Sequence, residues 1–205
     1  MRSLRPRTMQ AIRKAKGTHV VQLQIWLKRN VPPTELARLE SDERHEWLKG
    51  VLVNLWYDMD SVLALFEEGA RLTGKSVRDV TREVATRNAL HDLRGVHRVF
   101  LKYSATTWSL GLLPSLWRAY FDFGRPQVVL NAIGHFQIDT TIPERYVEWV
   151  SGGWEGFLRQ MATLTGATMP HLDVQLLPPT HAAGEWVVRA NLRYGPHAHD
   201  NSAAQ

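Results

Sequence analysis

The sequence predicts an α+β domain: an N-terminal helical half, then a β-β-α-β-β antiparallel sheet crossed by one long helix. Three observations point there. Capped stretches with apolar residues at helical spacing fill the region from Asp58 to Gly124. After Gly124 the apolar period falls to two. A single broad helical stripe, Tyr146 to Leu164, then separates two pairs of alternating segments.

Taken in order, residues 1–16 read as a basic flexible tail, residues 17–194 as one folded domain, and residues 195–205 as a polar flexible end. The first folded element, Val20 to Arg29, fits two templates. Val21, Leu23, Ile25 and Leu27 alternate like a strand, whereas Val20, Leu23 and Leu27 share a helical face. Pro32-Pro33 ends it. Thr34 is placed to cap a short helix and Ser41 a second, with Asp42 and Glu43 in its first turn.

The next helix is better marked. Asp58 is the expected N-cap, Met59, Val62, Leu63, Phe66 and Ala70 form the apolar stripe, and Gly74 sits at C′. Ser76 with Asp79 resembles a capping box for the following helix, whose core face is Val77, Val80 and Val84. That face shifts to Leu93, Val96, Phe100 and Leu101, which predicts a kink or break between His91 and Gly95. Pro114 suits the first turn of another helix, stopped by Gly124.

In the second half, Val128 and Leu130 precede a turn at Gly134, and Phe136, Ile138 and Thr140 follow as a hairpin. Thr141-Ile142-Pro143-Glu144 reads as a capping box for the long helix, which Gly166 ends. Leu172, Val174 and Leu176 predict a third strand, and Trp186, Val188, Ala190 and Leu192 a fourth. Gly152, Gly153 and Gly156 lie inside the helix and allow a close approach, to the sheet or to a second copy of the chain.

Composition narrows function. Apolar residues make up 44% and charged residues 22%, which suits a soluble domain with a core. There is no Cys, which excludes disulfides and thiolate metal sites and fits a cytoplasmic location. The apolar runs are too short for a membrane span, and no signal-peptide core follows the N-terminal charges. Residues 1–34 hold eight Lys or Arg and no acid, while the rest of the chain carries 17 basic and 20 acidic residues. The net charge of +5 therefore belongs to the N-terminal segment, which offers weak contact with nucleic acid or an anionic membrane.

A resemblance enters at this point. Gly17-Thr18, Trp56-Tyr57, Leu93-Arg94-Gly95-Val96, Leu113-Pro114-Ser115-Leu116-Trp117 and Tyr120-Phe121-Asp122-Phe123-Gly124 resemble recurring blocks of a paralogous myxobacterial family of unknown function. Through Trp56-Tyr57-Asp58 and Leu72-Thr73-Gly74-Lys75-Ser76, the chain is also similar to haem-nitric-oxide-binding (H-NOX) domains, and more loosely to four-vinyl-reductase-type sensory domains. The resemblance implies a sensory fold and no reaction. It implies His97 as the axial residue if haem is bound. The Tyr-x-Ser-x-Arg motif that grips haem propionates in those domains is missing: Ile142-Pro143-Glu144-Arg145-Tyr146 stands in its region.

No constellation for catalysis is present. His91 and His97 are six apart and fall on different helical faces. His197, His199 and Asp200 lie in the polar end, and Glu67-Glu68 and Asp58/Asp60 belong to helix surfaces and caps. Ser104 and Ser109 have no nucleophile-elbow context. No Gly-rich phosphate loop follows a strand. What stands out is an aromatic set, Trp56, Tyr57, Phe100, Trp108, Trp117, Tyr120 and Phe121, which is either core or the wall of an apolar pocket. The sequence thus predicts a non-enzymatic cytoplasmic sensor or adaptor in bacterial signalling, with Trp56, Tyr57, His97, Trp117 and Tyr120 as the ligand-binding set. Its expected partners are an apolar small molecule or a partner protein, with homo-oligomerisation open. No cofactor is expected. The alternatives are a haem-based gas sensor using His97 and a protein-interaction module with no small ligand.

Overall fold

The computed structural model describes residues 12–94, 110–179 and 184–197. Strand β1 (Lys14–Lys16) leads into helix α1 (Gly17–Asn30), α2 (Pro33–Ser41) and a 3₁₀ helix at Glu43–Lys49. Strand β2 (Trp56–Asp58) follows, then α3 (Met59–Thr73), α4 (Val77–Arg94) and α5 (Leu113–Tyr120). The second half runs β3 (Arg125–Ala132), β4 (His135–Pro143), a 3₁₀ turn at Glu144–Tyr146, α6 (Val147–Leu164), β5 (Ala167–Leu177) and β6 (Glu185–His197). This is a mixed helical and antiparallel-sheet architecture.

The ambiguity in the first element resolves as a helix. Val20, Leu23, Trp26 and Leu27 are all buried on one face of α1, and only helical spacing brings them together. Asp58 caps α3 by accepting from the Ser61 N–H at 3.0 Å; the five stripe residues are buried, and Gly74 ends the helix with φ +68°. At α4 the Ser76 hydroxyl accepts from the Asp79 N–H at 3.1 Å and donates to the Asp79 carboxylate at 2.7 Å. Asp79 is too short to return to the backbone of Ser76, so it closes the box on the hydroxyl instead. Helix α4 runs without interruption through Arg94, so a break would fall from Gly95 onward, outside the described residues.

The sheet has the order β3-β4-β6-β5. Phe136 opposite Leu192, Ile138 opposite Ala190 and Thr140 opposite Val188 give its inner face, all fully buried. Helix α6 lies against this face with Val150, Trp154, Leu158 and Met161 buried. Its glycines serve another neighbour. A Cβ on Gly152 would lie 2.2 Å from the Arg78 carbonyl oxygen, and one on Gly156 2.2 Å from that of Arg82. The close approach is therefore between α6 and α4, and not to the sheet or a second copy. Arg78 fastens it by donating to Glu155 at 2.6 Å.

Several expectations need correction. Neither Thr34 nor Ser41 caps a helix: α2 starts at Pro33 without a side-chain cap, and Asp42 caps the 3₁₀ helix through the Arg44 N–H at 2.9 Å. Thr141-Ile142-Pro143-Glu144 is no capping box. The pairing of β4 with β6 continues to Pro143 opposite Glu185, which keeps Thr141 in the strand, and α6 begins after the 3₁₀ turn without a side-chain cap. Helix α5 ends at Tyr120, and Gly124 (φ +74°) serves the turn into β3 instead. A bulge between Val128 and Leu130 breaks their shared alternation. Finally, Lys14–Lys16 belong to the fold, because β1 pairs antiparallel with β2, and β6 extends to His197.

Candidate functional site

A half-open cavity of about 50 Å³ lies where α4, α5 and α6 meet, beside the N-terminal turn of α1. Helix α4 contributes Ala85, α5 contributes Leu113, Leu116 and Trp117, and α6 contributes Trp149, Val150, Gly153, Trp154 and Phe157. These residues meet because each helix turns its apolar stripe toward the same seam.

The rings are held by their polar tips. Trp117 donates from Nε1 to the Phe123 carbonyl at 2.7 Å, and Trp154 from Nε1 to the Thr140 hydroxyl at 2.9 Å. Their ring centroids lie 5.5 Å apart in a stacked pair. Phe121 stands edge-on to Trp149 at 5.1 Å and tilted to Trp117 at 4.7 Å. The Trp149 indole nitrogen is buried without a hydrogen-bond partner among the described residues.

One end of the cavity is polar. His19 packs edge-on against Phe121 at 4.9 Å, and the Asn88 side-chain nitrogen lies 3.1 Å from His19 Nδ1. Burial among these side chains pulls the His19 pKa from 6.5 down to about 4, with the nearby Asp92 carboxylate opposing only in part, so the imidazole is neutral at pH 7. The buried Asp92 accepts from the Tyr120 hydroxyl, whose pKa is pushed up by burial first and by this carboxylate second. His91 reaches Asp92 from the exposed side at 3.3 Å. The arrangement can hold an apolar molecule, with neutral or cationic groups favoured at the polar end; a second anion beside Asp92 would be repelled.

Of the sequence-predicted set, Trp117 and Tyr120 line this cavity. Trp56 and Tyr57 do not. Trp56 is exposed on β2 under the Lys16 ammonium, and Tyr57 is buried with its hydroxyl at the Leu52 backbone and its ring 4.8 Å from Trp47. The ligand-binding set is therefore not brought together: β1 pairs with β2 on one side and bridges through Ala15 to Phe121 on the other, which leaves Trp56 and Tyr57 across β1 from Phe121. His97, Phe100, Trp108, Ser104, Ser109, His199 and Asp200 lie outside the described residues. Sequence reasoning missed His19, Asn88, Trp149 and Trp154 as a group. A usable signal was present in α6, where Trp149, Gly153 and Trp154 share a helix with glycines, but the face they share is set by α4.

No protein-family model matches the chain, and no curated protein matches it. Solved structures do. The Fe(II) unliganded H-NOX protein from K. algicida matches with a TM-score of 0.69 at 10% identity, over 90% of this chain and 98% of that one. An oxygen-binding H-NOX domain related to soluble guanylate cyclases matches with a TM-score of 0.59 at 15% identity, over 88% and 93%. A structure addressing the mechanism of H-NOX activation gives 0.62 at 14%, over 88% and 94%. The chain is an α+β domain with an aromatic seam between its helices and its sheet. Its fold is the H-NOX fold.

The described residues do not fit a haem. The seam is filled by the Trp117, Trp149, Trp154 and Phe121 rings, and the space left is about 50 Å³, enough for a few waters by volume. The carboxylate at its polar end would repel propionates. Arg145, the arginine in the region of the missing propionate motif, is paired with Asp60 at 3.0 Å, and Tyr146 also donates to Asp60. Among the described residues no cluster of His, Asp and Glu could hold a metal.

Proposed function

We propose that the chain is a non-enzymatic sensory domain that signals by binding a small apolar molecule in the cavity between α4, α5 and α6. The observation that carries this reading is the cavity itself. Its walls are aromatic and aliphatic, and its few polar groups, His19, Asp92 and Tyr120, gather at one end, which is the usual composition of a small-molecule site. The site also spans the two halves of the fold: α1 and α4 come from the helical half and α6 from the sheet half, so filling it would bias how they pack. The likeness to H-NOX domains supports a sensory role, and the cytoplasm is the compartment that a Cys-free chain of this kind fits. A signal would pass through a partner protein that reads the packing of α1 and α4.

The test is a thermal-shift screen with neutral apolar compounds of a few heavy atoms, which a cavity of about 50 Å³ could take, read beside the absorption spectrum of the purified chain. A concentration-dependent rise in melting temperature without a Soret band supports this reading. A stoichiometric Soret band would replace it with the gas-sensor reading, for which the fold likeness to an Fe(II) H-NOX protein is the supporting observation. Silence in both would favour a protein-interaction module.

A further inference from the structure

The loop between the 3₁₀ helix Glu43–Lys49 and β2, together with the first residue of β2, exposes Leu52, Val53, Leu55 and Trp56 within five positions, with Asn54 the one polar residue among them. Single exposed apolar side chains are ordinary, but four in one loop mark contact with something apolar. We propose that this loop seats the domain on an anionic lipid surface, Leu52, Val53, Leu55 and Trp56 entering the headgroup boundary while the flanking lysines meet lipid phosphates.

The backbone groups of Leu52 and Leu55, and the Val53 carbonyl, are already satisfied within the protein. The Tyr57 hydroxyl accepts from the Leu52 N–H at 2.7 Å, and the Leu55 N–H donates to the Leu52 carbonyl at 3.1 Å. The Gly17 N–H donates to the Leu55 carbonyl at 2.8 Å and the Thr18 N–H to that of Val53 at 3.1 Å. An unpaired N–H or C=O is costly wherever water is scarce, and these groups are paired. At Leu52 and Leu55 the loop therefore offers side chains alone. That suits a lipid boundary better than a protein that would add a strand, which needs free backbone groups.

Charge completes the match. From Trp47 to Tyr57 the sequence has Lys49 and no acid. On the outer face of the two-stranded ribbon, Lys16 faces Trp56 with its ammonium 5.9 Å from the ring, and Lys14 stands next to it. Of the acids beside it, Asp58 is engaged in capping α3 and Asp122 accepts from the Lys14 N–H at 2.6 Å. The chain enters this ribbon from residues 1–13, which carry Arg2, Arg5, Arg7 and Arg13 and no acid. Trp at the base of an apolar loop with lysines around it is the pattern of an interfacial anchor, because the indole favours the headgroup level and lysine stems can lie along apolar surface while the ammonium reaches phosphate. Gly17 keeps the loop in place: a Cβ there would lie 2.0 Å from the Leu52 carbonyl oxygen. No described helix is long and apolar enough to cross a membrane.

The test is co-sedimentation of the full chain with vesicles of phosphatidylcholine alone and of phosphatidylcholine with phosphatidylglycerol in equal amounts. Binding is expected on the anionic vesicles, with loss on raising salt. The double variant Leu52→Ser/Leu55→Ser changes only exposed side chains, and should keep its circular dichroism and melting curve while binding at least about tenfold more weakly. Lys14→Gln/Lys16→Gln should lose about tenfold as well. Three results would overturn the proposal: no sedimentation with anionic vesicles; full binding retained by Leu52→Ser/Leu55→Ser, which would assign the contact to the basic segment alone; or a wild-type dimer that this variant converts to monomer, which would assign the loop to a second copy of the chain.

Discussion

The indole N–H of Trp154 donates to the hydroxyl of Thr140 at 2.9 Å, with both side chains buried. This bond joins the long helix to the inner face of the sheet and holds one wall of the cavity. Thr140→Val keeps the shape and removes the acceptor, leaving the indole N–H buried and unpaired, so it is expected to lower stability by about 1–3 kcal/mol in denaturant melts. Trp154→Ala, which also removes a ring from the core, should cost on the order of 3–5 kcal/mol. Equal and mild effects would mean the helix does not sit on the sheet this way.

The three glycines of α6 separate packing from helix propensity. Gly152→Ala and Gly156→Ala would each drive a methyl group to 2.2 Å from a carbonyl oxygen of α4, and only movement of the whole helix relieves that. Each should cost about 1–3 kcal/mol or more. Gly153→Ala would meet only the Thr81 methyl at 4.0 Å, so it should be neutral or stabilising by up to about 1 kcal/mol through helix propensity. Thermal melts of the three single variants check the order.

Those glycines also show what the sequence could and could not convey. The periods, the Asp58 and Gly74 signals and the hairpin at Gly134 are local, and they placed α3 and the strands well. The capping box at Thr141 failed because a strand ladder, which pairs residues far apart in sequence, overrode a four-residue pattern. Trp56 and Tyr57 fell away from the site because their strand belongs to the small ribbon with β1, which three residues cannot announce. His19 escaped notice because its partners Asn88 and Asp92 stand about seventy positions away on α4. Helix faces were readable; which face meets which was not.

The His19 imidazole gives an acid sensitivity above the carboxylate range. Its folded-state pKa, about 4, lies below the unfolded value of 6.5. Protonation thus favours the unfolded chain, and stability should be full above pH 6.5 and fall as the pH drops toward 4. Buried His45 is shifted in the same direction by desolvation and adds to the slope. Asp42 and Glu68, held low by Arg44 and Arg71, lose their stabilisation only at lower pH. His19→Gln should flatten the decline in melting temperature between pH 6.5 and 4.5 without abolishing it. An unchanged slope would remove His19 from the cause.

Haem should bind poorly. The ring-filled seam, the paired Arg145 and the carboxylate of Asp92 predict a purified chain without a Soret band, and uptake of added haem without fixed stoichiometry. Absorption titration with haem checks this. A stable one-to-one complex whose axial ligation disappears in His97→Ala would promote the gas-sensor alternative over the reading preferred above.

Filling the cavity should separate ligand binding from folding. Ala85 is buried on α4 and lines the space opposite Trp117 and Val150 from the other helices. Ala85→Leu adds three carbons at the wall, and the cavity of about 50 Å³ can take part of that volume with small shifts of Leu116 and Phe157, which are only partly buried. Because new apolar contacts offset most of the strain, the change in stability should stay within about 1–3 kcal/mol of wild type. The ligand, by contrast, loses its space entirely. Compounds that raise the melting temperature of the wild-type chain should therefore leave Ala85→Leu unmoved, while Leu52→Ser/Leu55→Ser, whose altered side chains do not line the cavity, should respond as wild type does. If Ala85→Leu still responds in full, the compounds bind elsewhere and the cavity is packing space.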